Sequence, residues 1–219
     1  MAVAIFDLDR TLTRYATYTP FLIFAAFRRA PWRLLLLPLW LLSMGGYAAG
    51  ALSRKKLKEI GFLLLVGRQI AAAQLTQLAA DFAQVMVTHN MFAGAMAQIK
   101  AEQASGARLV LATASPDFYA KEIGARLGFD LIIATRQHQP SSDLFSHRID
   151  GENCYGAAKL AMVRAALAKD DAASDIRFYS DSASDAPLLN WVGTAYAVNP
   201  NAALQRLAQQ KGWSVLTFA

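Results

Sequence analysis

Apolar and polar positions alternate with two different periods along this chain. Residues 3–6, Val3-Ala4-Ile5-Phe6, form an apolar run too short for a helix, as expected of a strand buried on both faces of a parallel sheet. The next stretch has the helical period. Helices are predicted over 17–29 and 32–49, broken at Ala30-Pro31, then from an N-cap at Ser53 to near Gly67, and over 71–88. A further helix over 91–104 is closed by Gly106. From there short apolar strands alternate with helices: strands at 108–112, 131–134, 176–179, 194–198 and 214–218, and helices at 116–127, 156–167 and 201–210. Residues 136–150 are polar with weak β character and read as a hairpin. Strands alternating with helices predict an α/β fold with a doubly wound parallel sheet. Residues 1–13 and 89–219 would form its core, with a helical insertion over 14–88.

The composition sets limits on this picture. At 219 residues, the chain suffices for one domain with a modest insert. It is 55% hydrophobic and only 17% charged, richer in apolar groups than most soluble domains. A lone cysteine, Cys154, excludes an internal disulfide and suits a reducing compartment. The N-terminus has no secretory signal pattern, so a cytoplasmic or cytoplasm-facing protein is expected, peripheral on the membrane if the insert touches lipid.

Charge is unevenly spread. The net charge is +6, yet the segment from Arg10 to Lys58 holds nine basic residues and no acid, so the remainder is net negative. An anionic partner for the N-terminal part follows: a phosphorylated substrate or an anionic lipid surface. Nucleic acid is disfavoured, because the basic residues flank an apolar run and do not interleave with polar and stacking groups. That run, residues 34–53, has no charge over 20 residues, long enough in principle to span a bilayer. Pro38, Gly45, Gly46 and Gly50 weaken it as one straight helix. A single crossing would also put Asp7 on the opposite side of the membrane from everything after residue 54. If the two ends of the chain share a site, the segment either packs as a buried hairpin or rests in the membrane interface. Trp32 and Trp40 suit either role.

Candidate chemistry sits at the strand ends. The first strand runs into Asp7-Leu8-Asp9, two carboxylates at i and i+2 facing the crevice where α/β sheets bind ligands. Alone they serve equally well as turn formers, but three other strand ends also supply polar groups. One gives Thr113-Ala114-Ser115, hydroxyls and backbone N–H groups leading into a helix N-terminus, a ready anion site. Lys159 lies in the first turns of the helix after Gly156, and Asp181 and Asp185 follow the strand that ends at Tyr179. His89, His138 and His147 have no metal-ligand spacing and read as surface or packing residues.

The four motifs DLDRT, TAS, Lys159 and SDSASD resemble those of the haloacid dehalogenase-like (HAD) phosphatases. The insert is similar to the all-helical type 1 cap of that superfamily. FSHRIDGENCYGAAK and YSDSASDAPLL resemble subfamily IB, the branch with phosphoserine phosphatases and phosphatidylglycerophosphatase C-like members. Ser180 departs from the glycine usual before the first acid of the fourth motif. The resemblance implies Asp7 as nucleophile, forming an aspartyl-phosphate, and Asp9 as general acid and base. It implies phosphate binding by Thr113, Ala114 and Lys159. Mg²⁺ would be held by Asp7, the Asp9 backbone carbonyl and Asp181, with Asp185 behind the metal shell. Every motif residue is present, which argues against a noncatalytic adaptor. Phosphoserine phosphatases carry a glutamate nine residues after the nucleophile, where this chain has Ala16. That and the apolar, basic-flanked insert lead to a phospholipid head-group phosphate, such as phosphatidylglycerophosphate, as expected substrate. The alternative is a soluble phosphatase of a small phosphorylated metabolite, phosphoserine-like or a sugar phosphate.

Overall fold

The computed structural model describes residues 2–167 and 173–219. In chain order the first elements are β1 (Val3–Phe6), α1 (Tyr18–Arg29), a 3-10 helix (Pro31–Leu36), α2 (Leu37–Ala48) and α3 (Arg54–Leu65). Next come β2 (Gln69–Ala71), α4 (Ala72–His89), α5 (Ala93–Ala104), β3 (Arg108–Pro116), α6 (Asp117–Leu127), β4 (Leu131–Thr135) and β5 (Leu144–Ser146). The last are α7 (Ala157–Ala166), β6 (Ile176–Ser180), α8 (Ala186–Trp191), β7 (Thr194–Val198), α9 (Ala202–Lys211) and β8 (Ser214–Leu216). Six strands pair in parallel in the order β4-β3-β1-β6-β7-β8.

β1 is central, and its alternation explains how the sheet is covered on both sides. Ala4 and Phe6 join one apolar cluster, whereas Val3 and Ile5 join the other. β3 divides the same way, with Leu109 and Leu111 on the first face and Val110 and Ala112 on the second. The first cluster does not stop at the sheet. It runs on through Leu12, Phe21, Leu22, Trp40, Phe62 and Phe82, so the helices between β1 and β3 share one continuous core with one sheet face. Gly61 permits the close approach of α3 to its neighbours: a Cβ there would lie 2.7 Å from the Trp40 ring and 2.8 Å from Leu22.

Several expectations need correction. The strand expected to end at Ala112 continues to Pro116, with a register shift against β4 between Thr113 and Pro116. The helix expected over 32–49 starts with a 3-10 segment, because Pro31 and Pro38 interrupt the α pattern. The insertion is not wholly helical. Gly67, at φ +127°, turns the chain after α3, and β2 buries Ile70 while pairing antiparallel with β5. The 136–150 hairpin therefore has bridges Gln137–Ile149 and Ser141–Leu144, but its one regular strand pairs with the insertion. α8 was not anticipated as a separate helix.

The apolar run does not form the buried hairpin either. α2 buries only Trp40, and Trp32 lies exposed on the preceding 3-10 segment. Its 12 residues span about 18 Å against about 30 Å of bilayer core. No helix among the described residues is long and apolar enough to cross a membrane.

Candidate active site

β1, β3 and β6 are neighbours, so their C-terminal ends bring Asp7, Asp9, Thr113, Ala114, Asp181 and Asp185 to one edge of the sheet, where Lys159 of α7 joins them. All seven line one cavity of about 240 Å³. The turn after β1 is tight: Arg10 sits at φ +63°, and its N–H donates to Thr13 Oγ1.

Lys159 is buried between two acids. Its Nζ donates to Asp7 Oδ1 at 2.9 Å and to Asp185 Oδ2 at 2.7 Å. Asp185 Oδ2 also accepts from Ser180 Oγ at 2.7 Å, and the Ser182 N–H donates back to that hydroxyl. Ser180 thus uses its side chain where the family pattern has a glycine. Asp181 is tied to the first motif: its N–H donates to Thr11 Oγ1, which faces its Oδ1 at 3.3 Å. Burial is the largest effect on the Asp7 carboxyl and raises its pKa; Lys159 opposes it, and Asp185 and Asp181 add to it. Burial and Asp185 push Asp181 up to about 6.

Two buried carboxyls, Asp7 and Asp185, share one ammonium and the half-buried Asp181 lies beside them, which leaves negative charge uncompensated, and Asp185 Oδ1 is buried with no hydrogen-bond partner. An all-oxygen donor set with surplus anionic charge suits a hard divalent cation. No three acidic, histidine or cysteine side chains among the described residues form a metal-holding group. The set expected from the sequence needs only two, Asp7 and Asp181, with the Asp9 carbonyl and Asp185 behind, so the residues fit the ion.

Asp9 faces the other way, into hydroxyls. Its Oδ1 accepts from the Thr17 N–H at 2.8 Å and Thr17 Oγ1 at 2.7 Å, and its Oδ2 from Ser115 Oγ at 2.9 Å. Thr113 Oγ1 accepts from the Ser115 N–H, which folds the loop tightly. The Ala114 carbonyl is turned away to accept from Thr135 Oγ1 and from Lys58 Nζ. Lys58 also donates to Asn153 Oδ1 at 2.6 Å. Burial pulls its pKa down to about 7, opposed by Asp9 and assisted by Arg54. A neutral amine has two donors for these two acceptors.

Sequence reasoning missed the groups that complete the cavity wall: Arg10, Arg54, Tyr155, Ser182 and Ser184. Arg54 lies over the Tyr155 ring at 4.0 Å. The N-cap at Ser53 was legible, and with it the first turn of α3, but nothing in the spacing showed that this turn reaches residues 151–155. His89, His138, His147 and Cys154 do not line the cavity.

The haloacid dehalogenase-like hydrolase family matches residues 4–190 of this chain. The chain belongs to that family. It is 28% identical to phosphoserine phosphatase SerB1 of Mycobacterium tuberculosis, an alignment that covers 99% of this chain and 71% of the relative. Among solved structures, a Bordetella pertussis Tohama I protein of unknown function superposes with a TM-score of 0.86 at 27% identity, covering 98% of this chain and 97% of the other. A phosphoserine phosphatase solved as a phospho-aspartyl intermediate analogue superposes with a TM-score of 0.63 over 99% of this chain and 92% of the other. At 16% identity that likeness speaks for the fold alone. The chain is thus an enzyme of the haloacid dehalogenase-like hydrolase family, with relatives that are named phosphatases.

Proposed function

We propose that this HAD phosphatase hydrolyses a small phosphorylated metabolite through an aspartyl-phosphate on Asp7. The observation that carries the reading is the chain Asp7–Lys159–Asp185–Ser180, buried at the sheet edge and open on one side to a cavity of compact-metabolite size. Asp7 attacks phosphorus, and the bond from phosphorus to the ester oxygen breaks. Asp9 gives its proton to the departing alkoxide and then takes one from the water that cleaves the phospho-enzyme, releasing orthophosphate. Oδ2 is the oxygen suited to this exchange: Oδ1 is engaged by the fixed Thr17 N–H, whereas Oδ2 faces one rotatable hydroxyl. Lys159 and the loop at Thr113 and Ala114 bind the phosphoryl oxygens. Mg²⁺ held by Asp7, Asp181 and the Asp9 carbonyl, backed by Asp185, would offset charge on the transferring phosphoryl group. Residues 14–88 act as a lid on a core made of 1–13 and 89–219.

The small-metabolite reading takes precedence over the phospholipid one. A relative named phosphoserine phosphatase aligns over nearly the whole chain, and the cavity is small. Ala16 lines that cavity with a methyl group, so a substrate ammonium has no carboxylate there. The phospholipid reading keeps in its favour Ala16 where phosphoserine phosphatases have a glutamate, the basic flanks of the insert and the exposed apolar surface of α2.

The test is Mg²⁺-dependent phosphate release from phosphoserine, several sugar phosphates, phosphatidate and phosphatidylglycerophosphate in mixed micelles, with Asp7→Asn as blank. Preference for a soluble ester is expected. Preference for a lipid would reverse the order of the two readings, and release from nothing would end both.

A further inference from the structure

The lid has two sides, and its outer side is chemically unlike the rest of the surface. Twelve large apolar side chains are exposed among the described residues, and six of them fall between Trp32 and Met44: Trp32, Leu35, Leu39, Leu41, Leu42 and Met44. Leu35 is 80% exposed and Leu42 72%. Single exposed leucines are ordinary, but six within three helical turns form a contiguous patch, and such patches mark interaction sites. Trp40 is the one buried residue of α2, with Leu37 packed partly buried against the same core. The one side-chain hydroxyl of the patch, Ser43, is satisfied within the helix by the Leu39 carbonyl at 2.8 Å.

The rim decides what can cover it. Arg28 and Arg29 precede the ridge, Arg33 lies on it and Lys56 follows it, with no acid in the sequence between Arg10 and Lys58. Arg28 pairs with Asp81 and Lys56 with Glu59, which leaves Arg29 and Arg33 as the rim cations without a carboxylate partner among the described residues. The Arg33 guanidinium lies over the Trp32 ring, 4.8 Å from its centroid. A second copy of this chain would oppose basic rim to basic rim, whichever way the two ridges ran. An anionic lipid surface offers both complements together, acyl chains for the ridge and head-group phosphates for the rim.

We propose that the Trp32–Met44 ridge docks this chain on an anionic bilayer, with α2 lying in the interface plane and not crossing. Docking holds the lid by a ridge none of whose residues lines the cavity, and is independent of which phosphate ester the site hydrolyses.

The experiment is co-sedimentation of the full chain with vesicles of phosphatidylcholine, alone or with about one-third phosphatidylglycerol. It is run for wild type, for Asp7→Asn and for the triple variant Leu35→Gln, Leu39→Gln, Leu42→Gln. Wild type and Asp7→Asn should bind the anionic vesicles at least tenfold more tightly than the neutral ones and weaken as salt rises. The triple variant should lose tenfold or more while keeping its melting temperature and its phosphate release from a soluble ester. Because Asp7→Asn is inactive on the proposed mechanism, its binding separates this inference from the functional reading. Absence of vesicle binding, or equal binding by the triple variant, overturns the proposal. So does a concentration-dependent dimer abolished by the three substitutions with no vesicle binding, which would make the ridge a self-association surface.

Discussion

Two sides of the insertion over 14–88, the proposed lid, invert the usual distribution of residues. Toward the cavity, the insertion supplies polar groups, two of them buried, Thr17 on Asp9 and Lys58 on the Ala114 carbonyl, with the half-buried Lys55 on the Gly151 carbonyl and Arg54 over Tyr155 beside them. Away from the cavity, α2 leaves leucines in solvent. Burying a lysine is costly unless its donors are matched, and exposing leucine forfeits transfer free energy. The matched donors of Lys58 fasten lid to core, whereas the leucines have no partner within the chain. The difference teaches that the lid's stability and its surface chemistry are separable, and substitutions on each side should prove it.

The largest effect should come from the floor of the cavity beneath the lid. Asp7→Asn should lower phosphate release by about 10³-fold or more, since it removes the proposed nucleophile outright. Lys159 keeps Asp185 as a partner at 2.7 Å, so the variant should still fold. Single-turnover phosphate release, with circular dichroism for the fold, checks both halves. Near-normal turnover would move the nucleophile elsewhere.

Next comes Trp40, the one buried residue of α2. Trp40→Ala should cost about 3–5 kcal/mol in urea unfolding, the range for truncating a large buried aromatic. Trp40→Phe should cost much less, because Trp40 Nε1 is buried without a hydrogen-bond partner and that change removes the orphan donor. Equal losses in the two variants would mean that the indole N–H is satisfied after all.

Lys58 supplies the pH test of the inner side. With its pKa at about 7 in the folded chain and 10.5 as the ordinary value, both states bind its proton below pH 7. Between about 7 and 10.5 only the unfolded chain does, so this residue makes stability rise with pH in that window. The groups that face it are Asp9, Arg54, Cys154 and Lys159. Relative to Lys58→Met, wild type should gain up to about 1.4 kcal/mol per pH unit from pH 7 toward 10. A pH-independent difference in unfolding free energy would show that Lys58 stays charged between its two acceptors.

These residues also show what a sequence can reveal. β1 was legible because an apolar tetrapeptide ending in two acids has few other readings, and the parallel sheet followed from strands alternating with helices after residue 106, although the 136–150 hairpin interrupts that alternation and α8, between β6 and β7, went unread. That the seven candidate residues would meet at one sheet edge was legible because each lies near the end of a strand or in the first turns of a helix, and all seven line one cavity; their roles belong to the proposal. Lys58 and Arg54 were not legible, since their partners at 114 and 153–155 are distant in sequence and their helix reads simply as amphipathic. β2 was hidden because three residues carry no period. Exposure of α2 was hidden for a related reason: a uniformly apolar helix has no polar face to show which side meets solvent.

The smallest effect is the sharpest comparison, because it uses one residue type on adjacent helices. Leu65 on α3 is fully buried, and Leu42 on α2 is 72% exposed. Leu65→Ala should cost about 2–5 kcal/mol, by lost transfer free energy and the cavity left behind. Leu42→Ala should stay within about 0.5 kcal/mol, because its methyl groups already meet water in the folded chain. Paired urea melts of the two variants in lipid-free buffer decide the matter. A loss at Leu42 approaching that at Leu65 would mean that a partner surface already covers α2 in solution, and the two sides of the lid would then obey the same burial rule.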